Sequence, residues 1–339
     1  MDSVPAPEHS VNINNGHKTI VLRDGTSLLA GLARNGIFVP SACGGNARCG
    51  CCKVKVRGAG PVTPAEEPLV PESERAAGIR LSCQVKVHGN LDVTLPYDVL
   101  KAQRCTAKLI HKELLTYDIV RCTLQLIKPD SLNFTAGQYI QVRSQPYDGH
   151  ESVLRNYSIA SPPSSGNIFD LMIRRVPNGV CTGWVFDKLA VGDTMSFTAP
   201  FGRFKLSASN APILFVAGGS GMGPIYAILR DMQEKGIRRT AYYFFGALTQ
   251  NDLFLLKELH ELTDTLPDFT FIPAVSNEPA NSSWTGERGL ITDVLARHFP
   301  DCSQFEGYLC GFPGMIAACK KVLLAGNMPD NHIFYDTFA

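Results

Sequence analysis

A chain of 339 residues is long for one domain and points to two or three. Its 45% hydrophobic residues and near-zero mean hydropathy exclude general disorder, and a formal net charge of +1 excludes broad electrostatic attraction to nucleic acid or acidic lipid. Eleven cysteines, an odd number concentrated at one place, exclude the spread pairs of a secreted disulfide scaffold, so a reducing cytoplasm is expected.

The opening "MDSVPAPEHS" lacks a basic stretch followed by an apolar core and is read as no signal peptide; the first ~16 residues read as a short tail. "KTIVLRDGTSLLAGLARNG" predicts a strand, an Asp-Gly turn and an amphipathic helix from about Ser27 to Arg34, closed by Gly36. A cysteine-rich loop follows, then "CKVKVRG", which alternates like a half-exposed strand. "PVTPAEEPLVPESE" reads as proline- and acid-rich surface connection, "GIRLSCQVKVHGNLDVTLP" as two more strands, and "PYDVLKAQR" as a linker. From about Cys105 to Leu206 short strand signals with Gly and Pro breaks predict an antiparallel barrel. From Pro212 onward strands alternate with helices, the rhythm of a parallel sheet covered on both faces. Leu206 to Leu229 carries no charge and is long enough to invite a membrane span, but the glycines and proline in its middle predict a buried strand, a tight turn and a helix start.

The loop "SACGGNARCGCCKVKV", Ser41 to Val56, holds Cys43, Cys49, Cys51 and Cys52. Cys49 and Cys52 form a C-x-x-C, and Cys83 lies on a strand further on. The small residues Gly44, Gly45, Ala47 and Gly50 let backbone amides turn toward inorganic sulfur. This makes Cys43, Cys49, Cys52 and Cys83 the ligands of a [2Fe–2S] cluster, with Cys51 spare. Zinc or free thiols are the competing readings, though a zinc ribbon wants two C-x-x-C pairs. Cys51 in place of Cys52 is the other open alternative.

With these residues in view, residues 17 to 98 resemble a plant-type ferredoxin, in the C-x5-C-x2-C form found in the flavin-carrying part of the sodium-pumping NADH:quinone reductase. "RNYSIAS", Arg155 to Ser161, resembles the R-x-Y-S-x-x-S signature of the ferredoxin–NADP reductase superfamily. The resemblance implies FAD bound by Arg155, Asn156, Tyr157 and Ser158, with Arg155 at its diphosphate, Tyr157 stacked on the ring and Ser158 near the flavin atom that receives hydride. "GVCTGWV" is similar to the family's second phosphate-binding turn, which implies Gly179, Val180, Cys181 and Thr182 as flavin ligands. "VAGGSGMGP" is similar to the family's G-G-[ST]-G-x-x-P, implying that Gly218, Gly219, Ser220 and Gly221 receive the pyridine-nucleotide pyrophosphate. "YLCGFPGM" is similar to C-G-x-P-x-M, implying Cys310 and Gly311 beside the nicotinamide. The final "YDTFA" puts Asp336 and Phe338 where the family has an acid and an aromatic covering the flavin; an ordinary edge strand is the competing reading.

The fold implied is a β-grasp ferredoxin domain over 1–100, an antiparallel FAD-binding barrel over 101–207 and a parallel-sheet nucleotide-binding domain over 208–339. NADH is favoured over NADPH: Ser276 is followed by Asn277 and Glu278, and Leu248 stands where arginine is often seen, with Arg288 the one basic residue in reach. The function implied is an NADH-dependent oxidoreductase. It passes electrons through FAD and the cluster to a terminal oxygenase or another one-electron acceptor protein, as the reductases of soluble bacterial multicomponent oxygenases do. A soluble quinone-reductase-like chain, a deoxysugar-dehydrase reductase and a redox-sensing module are the alternatives. Arg34, Arg48, Lys53, Lys55 and Arg57 form a basic patch that suits an acidic partner face or plain solvation. The eight histidines show no metal-ligand spacing, and without a G-x-S-x-G hydrolysis is unsupported.

Overall fold

A computed structural model describes residues 6–338; residues 1–5 of the opening segment and Ala339 lie outside the described residues. Val11 and Ile13 show why the stretch read as a tail is not one. They alternate with polar neighbours, and both are fully buried in strand β1, Glu8–Ile13. Asn14, Asn15 and Gly16, all at positive φ, turn the chain back into β2, Lys18–Arg23. Helix α1 covers Leu28–Arg34 and ends at Gly36 with φ +77°, as expected. After the cysteine loop come β3 (Lys53–Arg57), α2 (Glu72–Ala76), β4 (Ile79–Leu81) and β5 (Leu91–Thr94). The sheet order is β2-β1-β5-β3-β4, with β1 parallel to β5 and its other pairs antiparallel. Its core of Val11, Ile13, Leu28, Leu32, Leu81 and their neighbours excludes water, each such side chain contributing about 1.5–3 kcal/mol.

Two further readings are corrected. The acid-rich connection is partly interior: Glu66 and Val70 are fully buried. The linker carries a short helix, α3, Tyr97–Lys101, with Val99 and Ala102 buried.

The expected barrel strands all form: β6 (Gln103–Leu114), β7 (Ile119–Lys128), β8 (Tyr139–Arg143), β9 (Leu154–Ser158), β10 (Ile168–Arg174), the short helix α4 (Val180–Gly183) and β11 (Thr194–Phe201). The chain forms two compact units. One holds the residues up to Cys105 with 140–156 and 195–201, so that β11, β8 and β9 neighbour one another there. The other holds 106–139, 157–194 and 202 onward, where β7 pairs antiparallel with both β6 and β10.

The uncharged stretch becomes β12, Ile213–Gly218, and the start of α5, Met222–Glu234, both deeply buried. Then follow β13 (Ala241–Ala247), α6 (Leu256–Thr265), β14 (Phe269–Val275), β15 (Glu287–Arg288), α7 (Ile291–His298), β16 (Glu306–Gly311), α8 (Pro313–Ala325) and β17 (Ile333–Thr337). The strands run parallel in the order β15-β14-β13-β12-β16-β17. Among the described residues no helix is long and apolar enough to cross a membrane.

Candidate functional site

The cysteine loop depends on backbone shapes that few residues adopt. Gly44, Gly45 and Gly50 have φ of +68°, +93° and +66°, and Ala47 is held at +49°. The turn brings Cys49 Sγ to 3.4 Å from Cys43 Sγ, while Cys52 hydrogen-bonds Cys83. Among the described residues no three metal-ligating side chains converge on one point. The contacts join Cys43 to Cys49 and Cys52 to Cys83, an arrangement that suits a binuclear cluster in which each iron takes two protein ligands and two sulfides. Hydrogen bonds from Cys51 and Cys52 bring the thiols of Cys49 and Cys83 down to about 5 and about 6, and the same contacts push Cys51 and Cys52 up. Amides of Cys51 and Ala47 also face Cys49 and Cys83. Ser41 Oγ is buried with no protein hydrogen-bond partner, as expected beside a group the chain does not itself supply.

Glu66 and Arg80 fix this loop from behind. Arg80 donates from Nε and Nη2 to Glu66 at 2.9 and 2.7 Å and reaches the carbonyls of Gly60 and Pro61; Leu81 N adds a further bond to Glu66 at 2.9 Å. Both charges are buried and fully satisfied, which sets β4 and hence Cys83 against Cys52; Ser82 N donates to Cys52 O at 2.9 Å. Reading acidic residues as surface hid this pair; an arginine three positions before Cys83 was the signal available.

On β9, Arg155 is exposed and its Nη1 donates to the carbonyls of Ala42 (3.0 Å) and Leu154 (2.7 Å). Asn156 Oδ1 accepts from Gln141 at 3.1 Å. Tyr157 is half-buried, and Ser158, buried, donates to Asp336 Oδ2 at 3.4 Å. The turn at Gly179 opens the short helix α4. Gly179 N is taken by Val176 O, Thr182 Oγ1 bonds Gly179 O and Val176 O, and Cys181 is buried.

The parallel sheet reverses its winding between β12 and β16, so a crevice opens past their C-terminal ends. The glycines fall there. A Cβ on Gly221 would lie 2.3 Å from Cys310 O, and one on Gly218 2.9 Å from Met315 Sδ. Gly219 and Gly311 have φ of +55° and +141°. Ser220 completes the turn. Cys310 is wholly buried, and burial pushes its thiol well up. β17 is an edge strand, and that register serves the site: it pairs Cys310 with Asp336, while Phe338 N donates to Gly311 O at 2.9 Å. Phe338 packs against the core cluster that includes Cys310. Burial pushes the Asp336 carboxyl up to about 6, against the Ser158 hydrogen bond. A cleft of about 260 Å³ adjoins, lined by Tyr139, Gly202, Arg203, Phe204, Phe334, Tyr335 and Asp336, an aromatic lining that suits a planar ring. Ser158, Asp336, Cys310, Phe338 and the glycine turn thus come together.

Arg288, the one basic residue expected in reach of a 2′-phosphate, is committed elsewhere. Its two terminal nitrogens donate to Glu278 O, Pro279 O, Ser282 Oγ and Trp284 O. Glu278 keeps its carboxylate at the same edge, accepting from Gln250 N at 2.7 Å.

Comparison with known proteins follows this division. Residues 11–88 match the 2Fe-2S iron-sulfur cluster binding domain, 106–206 the oxidoreductase FAD-binding domain and 215–321 the oxidoreductase NAD-binding domain. The chain is 32% identical to the xylene/toluene monooxygenase electron transfer component XylA of Pseudomonas putida, over 99% of this chain and 95% of that one. It is 30% identical to one component of the Na(+)-translocating NADH-quinone reductase of Haemophilus influenzae, over 99% and 92%. The cytochrome P450 reductase GcoB of Amycolatopsis superposes with a TM-score of 0.80 at 29% identity, covering 97% of this chain and 98% of that one.

Proposed function

The chain belongs to the ferredoxin–NADP reductase superfamily, among the reductases that join a [2Fe–2S] domain to FAD- and NAD-binding domains, and from that premise we propose how its residues divide the work and whom it serves. It is an electron-transfer oxidoreductase using NADH, FAD and a [2Fe–2S] cluster. Bound together, flavin and cluster supply the conversion of a two-electron donor into single electrons. We assign three domains, 1–100, 101–207 and 208–339, to the three cofactors in that order.

Cys43 and Cys49 would hold one iron and Cys52 and Cys83 the other, leaving Cys51 spare. The observation that carries the reading is this two-by-two pairing. Arg155, Asn156, Tyr157 and Ser158 hold FAD, with the turn Gly179–Val180–Cys181–Thr182 shaping the pocket beside them. Gly218, Gly219, Ser220 and Gly221 receive the NADH pyrophosphate, and Cys310 with Gly311 borders the nicotinamide. Asp336 orients the Ser158 hydroxyl and holds a proton up to about pH 6. Phe338 covers the ring and keeps water from it. Glu278 disfavours a 2′-phosphate, and the four acceptors on Arg288 leave NADH the better donor.

The terminal acceptor is an oxygenase component. XylA, an electron transfer component of a monooxygenase, supports this through its full-length similarity. A reducing cytoplasm suits a chain with an odd number of cysteines clustered at one loop. The similarity to the NADH-quinone reductase component favours a second reading, delivery to a quinone-reducing complex. Low-temperature EPR after anaerobic addition of NADH tests the scheme. A rhombic signal of a reduced [2Fe–2S] centre is expected, intact in Cys51→Ser and lost in Cys52→Ser. Bleached flavin with no such signal would refute the ligand assignment.

A further inference from the structure

Between β11, which ends at Phe201, and β12, which opens at Ile213, the chain crosses from the antiparallel to the parallel sheet. Residues 207–212 of the crossing read "SASNAP", a run of small and polar residues that by composition alone makes a loose connection. Here its polar groups are held from inside the protein. Glu306 is 5% exposed, and its Oε2 accepts from Ser207 Oγ at 2.6 Å, Arg239 Nη2 at 2.9 Å and the Tyr308 hydroxyl at 3.0 Å. That hydroxyl in turn accepts from Ser207 N at 2.9 Å. Arg239, equally buried, donates from Nε and Nη2 to Ala211 O at 2.9 and 2.5 Å, and Glu306 N donates to Pro212 O at 2.9 Å. Both ends of the run are thus pinned around one buried carboxylate.

The ring of Tyr308 carries this anchorage to the site. It stacks on Phe334 at 4.8 Å and meets Phe204 edge-on at 5.9 Å, and both of those line the cleft beside Asp336. In the register of β16 with β17, Tyr308 pairs with Phe334 two places before Cys310 pairs with Asp336. These residues and Ser158 belong to one compact unit.

We propose that Glu306, through Arg239 and Tyr308, is a positioning residue that stiffens the crossing and so keeps Cys310 and Asp336 in register with Ser158 for hydride transfer. The inference rests on the assignment of FAD to the barrel and NADH to the crevice. Misplacing a reacting atom by about 1 Å costs about a hundredfold in rate, so a connection left loose at 207–212 would be felt at the reacting centre. Glu306 meets neither cofactor in this scheme, and its effect falls on rate and not on affinity.

Two measurements on the holoenzyme test this: amide hydrogen exchange across 207–211 without NADH, and anaerobic stopped-flow reduction of the flavin by NADH. In Glu306→Gln and in Tyr308→Phe, exchange across 207–211 is about tenfold faster or more. The limiting rate of flavin reduction falls about tenfold or more, while the NADH Kd and the flavin content stay within about twofold of wild type. Faster exchange with an unchanged reduction rate would make the network a structural one and overturn the proposal. A slower reduction with unchanged exchange would overturn it too, since the effect would not pass through the crossing. Should Glu306→Gln not fold, Tyr308→Phe, which removes one hydroxyl, decides by the same two readouts. A wild type whose flavin NADH does not reduce refutes the parent assignment instead.

Discussion

Asp336 is a carboxyl that burial holds up to about 6, against 3.8 in the unfolded chain. A raised folded value means the folded state keeps the proton more tightly, so the stabilising contribution is complete below about pH 4 and lost as pH rises through 6. Asp336→Asn should therefore gain stability over wild type between pH 5 and 8, by about 1–3 kcal/mol at the upper end. Urea unfolding across that range measures it; parallel curves for the two proteins would show the carboxyl to be unperturbed. At this scale the sequence is most legible where a side chain has one chemical use. Cysteine spacing named the four thiols, and "RNYSIAS" named Ser158. The same residues do not tell who their neighbours are: Ser158 and Asp336 lie 178 positions apart and meet only through the fold.

Secondary elements carry a different information. Gly221 permits the turn after β12 to approach β16, since any Cβ there would meet Cys310 O at 2.3 Å. Gly221→Ala should raise the KM for NADH by about tenfold or more with the EPR-active cluster content unchanged, because backbone rather than a flexible side chain has to give. A variant with normal KM would show that the crevice tolerates widening. The Glu66–Arg80 pair is the opposite case, an element held by charge instead of close approach. Glu66→Ala leaves a buried guanidinium unpaired and should lower stability by about 3–5 kcal/mol, with cluster lost on warming before flavin is. Calorimetry with visible absorbance follows both. Strand and helix alternation after Pro212 was readable because buried parallel strands are long apolar runs. β1 was not: its period-2 pattern is only six residues long and ends in a polar turn.

For the whole molecule, the three cofactor sites divide the activities. Cys52→Ser should keep NADH–ferricyanide turnover near wild type while reduction of cytochrome c falls at least about tenfold, since ferricyanide can take electrons from the flavin directly whereas cytochrome c takes them from the cluster. Equal loss of both would place cluster and flavin in one inseparable unit. The overall architecture could be read from the order of periodicities, whereas the allocation of strands between the two compact units could not, because strand pairing partners are set by tertiary contacts the pattern does not encode.

Of the eleven cysteines eight are buried; Cys43, Cys49 and Cys51 alone keep partial exposure. A water-soluble alkylating reagent applied to the native protein is thus a counter of cluster occupancy. With the cluster seated, the reagent finds the one spare thiol at Cys51. With it removed, Cys43 and Cys49 join the tally, and the labelled mass rises by two adducts. Preparations that lose iron on storage can be graded by mass spectrometry before any redox assay is run.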